Sequence, residues 1–463
     1  MGFVLSLLYL LTNYLSPPTV FGPLAAFHVE LILAALVLLI SLPKIIRSFI
    51  IKTPQSLALM GLAFATFLSI LMTGWAGGAV LATLNFIPNA FAYFLVCLHC
   101  DSKKKLQTLI AMLFMVCMFV IARGYIDLRH GVSDDTYQSG ADDGLSSEFD
   151  NSADSYLLAM RNDAGELFYR IRGKGEINDP NDFGQLIVCV IPLIFAFWRS
   201  KKSLLNIAVV ILPACALIYG IYLTHSRGAL VALVAVIIVA ARRRIGTIAA
   251  ALGGAAVFAA AMALHFTGGR EISAGSGSDR TSLWSDSLQL LKSHPFFGVG
   301  FGNLQDYLGH TAHNSVAVCA AELGVVGLFF WSMFLFTTTR DAIAAASPEK
   351  VTDTELAVAD SSLFPRLIED SGTCDKAQIN QLGRLLVLSL TGFLVSGWFL
   401  SRSFVVTFFL LGGMVEVVYD LALKQGMIGP RLPFRRVLGY SGCFAFLLLL
   451  LVYIMLRITN LMH

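Results

Sequence analysis

Apolar residues fall into thirteen blocks separated by short polar stretches. They lie near 2–16, 24–42, 56–76, 79–98, 106–123, 183–198, 204–223, 228–241, 246–265, 314–339, 385–400, 403–422 and 438–456. A helix needs about 20 apolar residues to cross a membrane. The pattern predicts an all-α, polytopic membrane protein with 12–13 transmembrane helices. Pro17-Pro18 cuts the first block short. That block lacks the basic start and small-residue cleavage site of a signal peptide, so insertion is expected to rest on internal helices. There is no repeat with a period of 20–50 residues and no inverted pair of broken helices.

Polar residues between the blocks set the expected orientation. Loops at Lys44–Lys52, Lys103–Lys105, Arg199–Lys202, Arg242–Arg244 and Lys424–Arg436 hold sixteen Lys and Arg. The alternate short loops and the C-terminal tail hold three, Arg227, Arg402 and Arg457. Basic loops stay in the cytoplasm, so the N-terminus is expected inside and, with thirteen spans, the C-terminus outside. The expected organisation is N-terminal spans over 1–123, an outer loop over 124–182, spans over 183–265, a second outer loop over 266–313, a span at 314–339, a cytoplasmic loop over 340–384 and C-terminal spans over 385–463.

Composition supports this. Mean hydropathy is +0.73, and 14% of the residues are charged, against about 25% in soluble proteins. A water-soluble enzyme is excluded. The net charge of +3 carries no nucleic-acid signal, because topology places the basic residues. The first outer loop is acidic, with thirteen Asp and Glu against five Lys and Arg over 125–182. Its middle, Gly131–Asp154, has a disordered composition, whereas Leu167–Asn181 reads as a folded element. The eight cysteines lie in spans or on the cytoplasmic side, with no disulfide framework. Cys97-Leu-His-Cys100 has a metal-like spacing without a second ligand pair, and ordinary packing accounts for it better.

Two blocks are short. Gly228–Ala241 is about 21 Å long at 1.5 Å per residue, against a hydrocarbon core of about 30 Å. Arg242–Arg244 hold its inner end, so Thr224-His225-Ser226-Arg227 should dip below the outer surface. Asp179-Pro180-Asn181-Asp182 should dip similarly. An arginine within the membrane costs at least ~2.5–3.5 kcal/mol on insertion scales, so Arg227 is a functional candidate. The bland alternative is a side chain snorkelling to head groups.

Other polar elements share the outer side: Arg170-Ile-Arg172-Gly-Lys174, Arg280-Thr-Ser-Leu-Trp284, His294-Pro295, Gly298–Asn303 and His313-Asn314-Ser315. Leu283, Trp284, Leu288 and Leu291 suit an interfacial helix. Arginine forks match phosphate oxygens, so this constellation favours an anionic, diphosphate-like substrate. His313 at a helix start is suited to act as a neutral base, although His-Asn-Ser also reads as a simple helix cap. The glycine run resembles a dinucleotide fingerprint but follows no strand; it reads as a tight turn. Asp134-Asp135 and Asp142-Asp143 fit a solvated loop better than a metal site.

Ser226-Arg227-Gly228, Arg280-x-x-x-Trp284, His294-Pro-Phe-Phe-Gly-Val-Gly-Phe-Gly-Asn303, His313-Asn314-Ser315 and Glu322-Leu-Gly-Val-Val-Gly327 occur in that order. In this the chain resembles the O-antigen ligase and O-antigen polymerase superfamily of bacterial membrane glycosyltransferases. The resemblance implies a GT-C-like helical fold with two periplasmic loops carrying the site. It implies a metal-independent, inverting transferase without cofactor in the inner membrane. The donor would be an undecaprenyl-diphosphate-linked glycan, and the acceptor a glycolipid such as lipid A–core, a glycan or a protein. By match, Arg227 and Arg280 hold the diphosphate and His313 activates the acceptor. Arg170, Arg172 and Arg402 are further candidate diphosphate ligands. Asp179, Asn181, Asn314 and Glu322 are expected to support them. A flippase for the lipid-linked glycan and a non-catalytic assembly partner are the alternatives of another class. Deep acids are few, at Glu30, Glu322, Glu416 and Asp420, and Glu322 is expected to pair with an arginine. The cytoplasmic loop, with Leu363-Phe-Pro-Arg366, reads as a linker.

Overall fold

The computed structural model describes residues 1–17, 29–47, 53–130, 155–161, 167–264, 266, 274–347 and 375–462. The apolar blocks become helices α1 (Gly2–Leu15), α2 (Val29–Arg47), α3 (Pro54–Leu71), α4 (Ala76–His99), α5 (Lys103–His130), α6 (Pro180–Ile194), α7 (Leu212–Thr224), α8 (Arg227–Ile245) and α9 (Thr247–Ala263). After α10 (Ala274–Ser293) come α11 (Ser315–Ala346), α12 (Lys376–Gly397), α13 (Val406–Lys424) and α14 (Phe434–Met462). The short stretch Ser203–Ile211 leads into α7 through a π-helical turn. Among the described residues ten helical segments are long and apolar enough to cross a membrane, while α1 and α9 are shorter apolar helices. The protein is an all-α polytopic membrane protein.

Two details depart from the sequence reading. One antiparallel hairpin, β1 (Leu157–Arg161) and β2 (Leu167–Ile171), interrupts the helices and pairs Leu158 with Arg170. The loop expected over 340–384 is shorter, because α11 runs on to Ala346 and α12 starts at Lys376. Gly131–Asp154, with its paired aspartates, and Leu363–Arg366 lie outside the described residues.

Exposure sorts the helices into inner and outer positions. The apolar window of α13 is 94% buried and that of α11 is 78% buried, whereas α2 and α14 are 11% and 17% buried. Helix α11 packs on α3, α12, α13 and α14, and α6 packs on α7, α8 and α12. Helix α10 lies against α11 and α14, with Trp284 buried and Leu288 and Leu291 packed on the core. The amphipathic stretch thus forms the expected helix.

Helix α11 is not one straight span. It breaks at Gly324, whose φ is 64° and ψ −165°. A break strands carbonyls on one side and amides on the other, and in hydrocarbon each needs a partner. The segment after α10 supplies them. Val299 and Gly300 donate N–H to the carbonyls of Ala321 and Glu322 at 2.9 and 3.0 Å. The carbonyls of Pro295 and Phe296 accept from Val325 and Val326 at 2.8 and 3.3 Å. The glycine run is therefore more than a turn: it fills the break. A Cβ at Gly298 would lie 2.4 Å from the Ala321 carbonyl oxygen, and one at Gly324 2.4 Å from that of Phe296. Both glycines also have positive φ. The break places Glu322 facing the backbone amides of Gly302 and Leu304, where no arginine pairs with it among the described residues.

At the opposite end from the hairpin, Arg431 joins three helices. It is ion-paired with Glu416 of α13 and lies 3.8 Å from Asp341 of α11. It donates to Gln55 of α3 at 3.1 Å, and Gln55 donates to Asp341 at 2.7 Å. Tyr419 presents its ring 4.7 Å from the guanidinium.

Two stability outcomes follow. Gly298→Ala and Gly324→Ala should each cost at least roughly 1–3 kcal/mol through backbone strain, whereas Gly253→Ala in α9, with open space around it, should raise stability by roughly 0.5–1 kcal/mol. Arg431→Ala should cost about 3–5 kcal/mol by stranding the buried Glu416 carboxylate, since Asp341 keeps Arg340 and Gln55. Thermal unfolding of the detergent-purified variants measures both.

Candidate active site

Three helices begin beside one another at the hairpin end, each with a side-chain cap. Asp179 Oδ1 accepts the Asn181 N–H at 2.7 Å, with Pro180 at the first position of α6. Ser226 Oγ accepts the Ala229 N–H of α8 at 3.3 Å. Asn314 Oδ1 accepts from Val316 and Ala317 of α11 at 2.9 and 3.0 Å. The capping reading of Asn314 is thus what its geometry shows.

The first two caps are tied together. Asn181 Oδ1 accepts from Ser226 Oγ at 2.9 Å and from Arg170 Nη2 at 2.9 Å. Arg170 Nε donates to the Thr224 carbonyl at 2.8 Å. Arg170, 3% exposed, therefore bridges β2, the end of α7 and the start of α6. Its guanidinium holds the Thr224–Arg227 turn in place. His225 closes that turn in the left-handed region with φ 47°, its ring edge-on to Tyr222 and Phe168 at centroid distances of 5.3 and 5.7 Å. Arg227 follows as the first residue of α8.

The third cap is seated on the α12–α13 turn. His313, also left-handed with φ 48°, donates its N–H to Ser401 Oγ at 2.8 Å. Ser315 Oγ donates to the Leu400 carbonyl at 2.8 Å and accepts the Arg402 N–H at 3.1 Å. Asn314 Nδ2 donates to the Trp398 carbonyl at 3.2 Å. Trp284 of α10 packs edge-on against Trp398, with centroids 6.0 Å apart. Arg280 precedes Trp284 by four residues, so it shares that helix face. The tryptophan pair docks Arg280 against the turn that holds His313.

Electrostatic coupling joins these side chains. Burial lowers the pKa of Arg280, and repulsion from Arg227 adds to this. Burial also lowers that of Arg172, with Asp179 opposing, and the Arg172 Nε is buried without a hydrogen-bond partner among the described residues. For His313, burial and then Arg280 lower the pKa below its ordinary 6.5, while Asp179 works the other way. The imidazole is consequently neutral at neutral pH. It is half-buried and can accept a proton. Two guanidiniums that repel one another beside three helix N-termini favour a shared anion.

Arg402 is placed differently. It forms an ion pair with the buried Asp182 of α6, and the two lie beside a cavity of about 250 Å³ that Arg402 lines with Glu176 and Glu322. Of the expected diphosphate ligands, Arg227, Arg280 and Arg172 are coupled to the His313 group. Arg170 and Arg402 have their charge or donors committed to the protein. Glu322 lines the cavity and does not join the arginine group.

Trp398, Ser401 and Glu176 escaped the sequence reading, which named Asp182 only within the Asp179–Asp182 segment. Trp398 and Ser401 end an apolar block, and Ser401 sits 88 residues from His313. Their only local signal is the polar Ser401-Arg402-Ser403 run.

No curated protein matches the chain. The model of the O-antigen ligase family matches residues 212–332, a stretch that includes Arg227, Arg280, Trp284, His313 and Glu322. Members of that family are glycosyltransferase-type enzymes. Residues 212–332 thus resemble an O-antigen ligase domain, and the match supports the O-antigen ligase and polymerase superfamily.

Proposed function

We propose that this protein is an O-antigen ligase-like transferase. It moves a glycan from undecaprenyl diphosphate to a hydroxyl of an acceptor such as lipid A–core. The site faces the periplasm from the bacterial inner membrane, with the N-terminus in the cytoplasm. The observation that carries this reading is the placement of His313 and Arg227 at adjoining helix starts, with Arg280 near enough to both to interact with them electrostatically. Such a set can take a proton and hold a diphosphate at once. The basic triplet Arg242–Arg244 in the last turn of α8, at the far end from Arg227, supports the orientation.

A ring nitrogen of His313 removes the acceptor hydroxyl proton as the oxygen attacks the anomeric carbon. The bond from that carbon to the diphosphate oxygen breaks, and the leaving diphosphate carries away the electron pair. Attack from the face opposite the diphosphate inverts the centre. Arg227 and Arg280 neutralise the growing charge, with Arg172 beside them, and preorganised charge of this kind is usually the largest catalytic contribution. Arg170 and Asn181 act through Arg227 by holding its turn. No step calls for a metal or nucleotide.

His313→Ala should reduce kcat by about 10²–10⁴, the usual span for a general base, with normal insertion. Arg227→Ala and Arg280→Ala should raise the donor KM and lower kcat, and Lys should restore only part because it lacks the planar fork. A fully active His313→Ala would remove the mechanism. The base must be neutral, so activity should be at its plateau at pH 7 and fall on acidification through a pKa below 6.5; His313→Ala should lack that acid limb. A pH–rate profile with purified protein measures this.

Deleting the gene in its host and analysing lipid-linked and surface glycans together assigns the reaction. Long polymer stranded on the lipid carrier with a bare acceptor is the outcome expected for a ligase. Single repeat units on the acceptor would make it a polymerase, and lipid-linked units held on the inner leaflet a flippase.

A further inference from the structure

The cavity beside His313 has a character opposite to that of the arginine group. Ser401 is part of its wall, and the same hydroxyl accepts the His313 backbone N–H at 2.8 Å. The cavity and the base are therefore one residue apart. Glu176 and Glu322 both line it. The one arginine in the wall, Arg402, is already ion-paired with buried Asp182, so the wall carries no unbalanced positive charge. Phosphate is disfavoured there.

The rest of the lining is that of a polyol site. Gln305 and Thr311 add neutral donors and acceptors. Phe301 and Phe404, with ring centroids 5.2 Å apart, present apolar surface for the C–H face of a ring. Glu322 is 7% exposed and faces the amides of Gly302 and Leu304, so the backbone holds it in place. A carboxylate has about four lone-pair sites, which leaves it acceptor capacity for ligand hydroxyls. The volume of about 250 Å³ leaves room for one sugar ring. Among the described residues no three His, Cys, Asp or Glu are grouped to hold a metal ion.

We propose that this cavity is a subsite for a single sugar ring without an anionic substituent, held by Glu176 and Glu322 beside His313. The proposal rests on the reading of the protein as a glycan transferase and divides its site in two. Arginines take the diphosphate, and the acid-lined cavity takes a neutral ring and discriminates against uronic acids and phosphosugars. The ring belongs either to the acceptor or to the donor glycan, and both present the same chemistry.

Saturation-transfer NMR on the full-length protein in nanodiscs tests this with methyl glucoside and methyl glucuronide as probes. The glucoside should bind in the millimolar range and the glucuronide at least tenfold more weakly. Glu322→Gln should weaken the glucoside about fivefold and narrow the gap to the glucuronide. Glu176→Gln, at the partly exposed rim, should do the same where Glu322→Gln fails to fold. Equal binding of the two probes, no binding of either, or binding unmoved by both substitutions would overturn the subsite. Binding of undecaprenyl diphosphate, measured on the same samples, should be unchanged by either glutamate substitution and lost in Arg227→Ala. No sugar binding by the unsubstituted protein, with intact diphosphate binding that Arg227→Ala abolishes, therefore fails the subsite alone, whereas diphosphate binding insensitive to Arg227→Ala fails the transferase reading. Repeating the experiment with the protein saturated by lipid-linked glycan separates the sources: a retained glucoside signal assigns the ring to the acceptor, and a displaced one to the donor.

Discussion

A backbone amide or carbonyl that faces hydrocarbon without a partner costs several kcal/mol, and this constraint shapes the whole site. Three helices start there, and one of them, α11, also breaks at Gly324. Each start exposes amides that must be met, and Asp179, Ser226 and Asn314 meet them. The break at Gly324 exposes carbonyls and amides together, and the Pro295–Gly300 segment meets both. The caps and the plug carry the residues with chemistry: Arg227 is next to a cap, His313 is next to another, and Glu322 lies in the turn before the break. A polar site within an apolar bundle is in this sense made from the devices that let the helices end.

Those devices also hold one another. Asn181 accepts from Ser226 and from Arg170, so α6, α8 and the hairpin share one junction. Ser315 and Ser401 fasten the start of α11 to the α12–α13 turn, and the Trp284–Trp398 contact docks α10 on that turn. His313 is held in a left-handed conformation that costs a non-glycine residue about 1–2 kcal/mol, and the stitches around it keep it there. Preorganisation of this kind lets charged groups act without rearranging during reaction.

Charge is segregated across the junction. Arg227 and Arg280 repel each other on one side, and on the other Arg402 is neutralised by Asp182 beside two glutamates. Burial makes both arrangements stronger than they would be in water. It also explains why not every outer arginine is equivalent. Arg402 faces the Asp182 carboxylate, and Arg170 faces the Thr224 carbonyl and the Asn181 amide oxygen, so both guanidiniums are already engaged by the protein.

Hydropathy and spacing determined much of this from the chain alone. Thirteen apolar blocks became helices, because a run of about 20 apolar residues can satisfy its backbone in lipid only as a helix. The amphipathic period around Trp284 marked α10, and Arg227 stood out because the block it opens is too short to span the hydrocarbon, which leaves a costly charge below the surface. The order of the polar motifs carried the family resemblance. What remained illegible depends on distance in space between residues far apart in sequence. The Ser401–His313 bond, the Asp182–Arg402 pair and the plug in α11 join segments whose separation carries no local signal. Side-chain identity stated which residues could hold a charge or donate a bond. Only the packed helices decided which partner each one found, because a buried polar group takes whichever donor or acceptor the tertiary structure brings within about 3 Å.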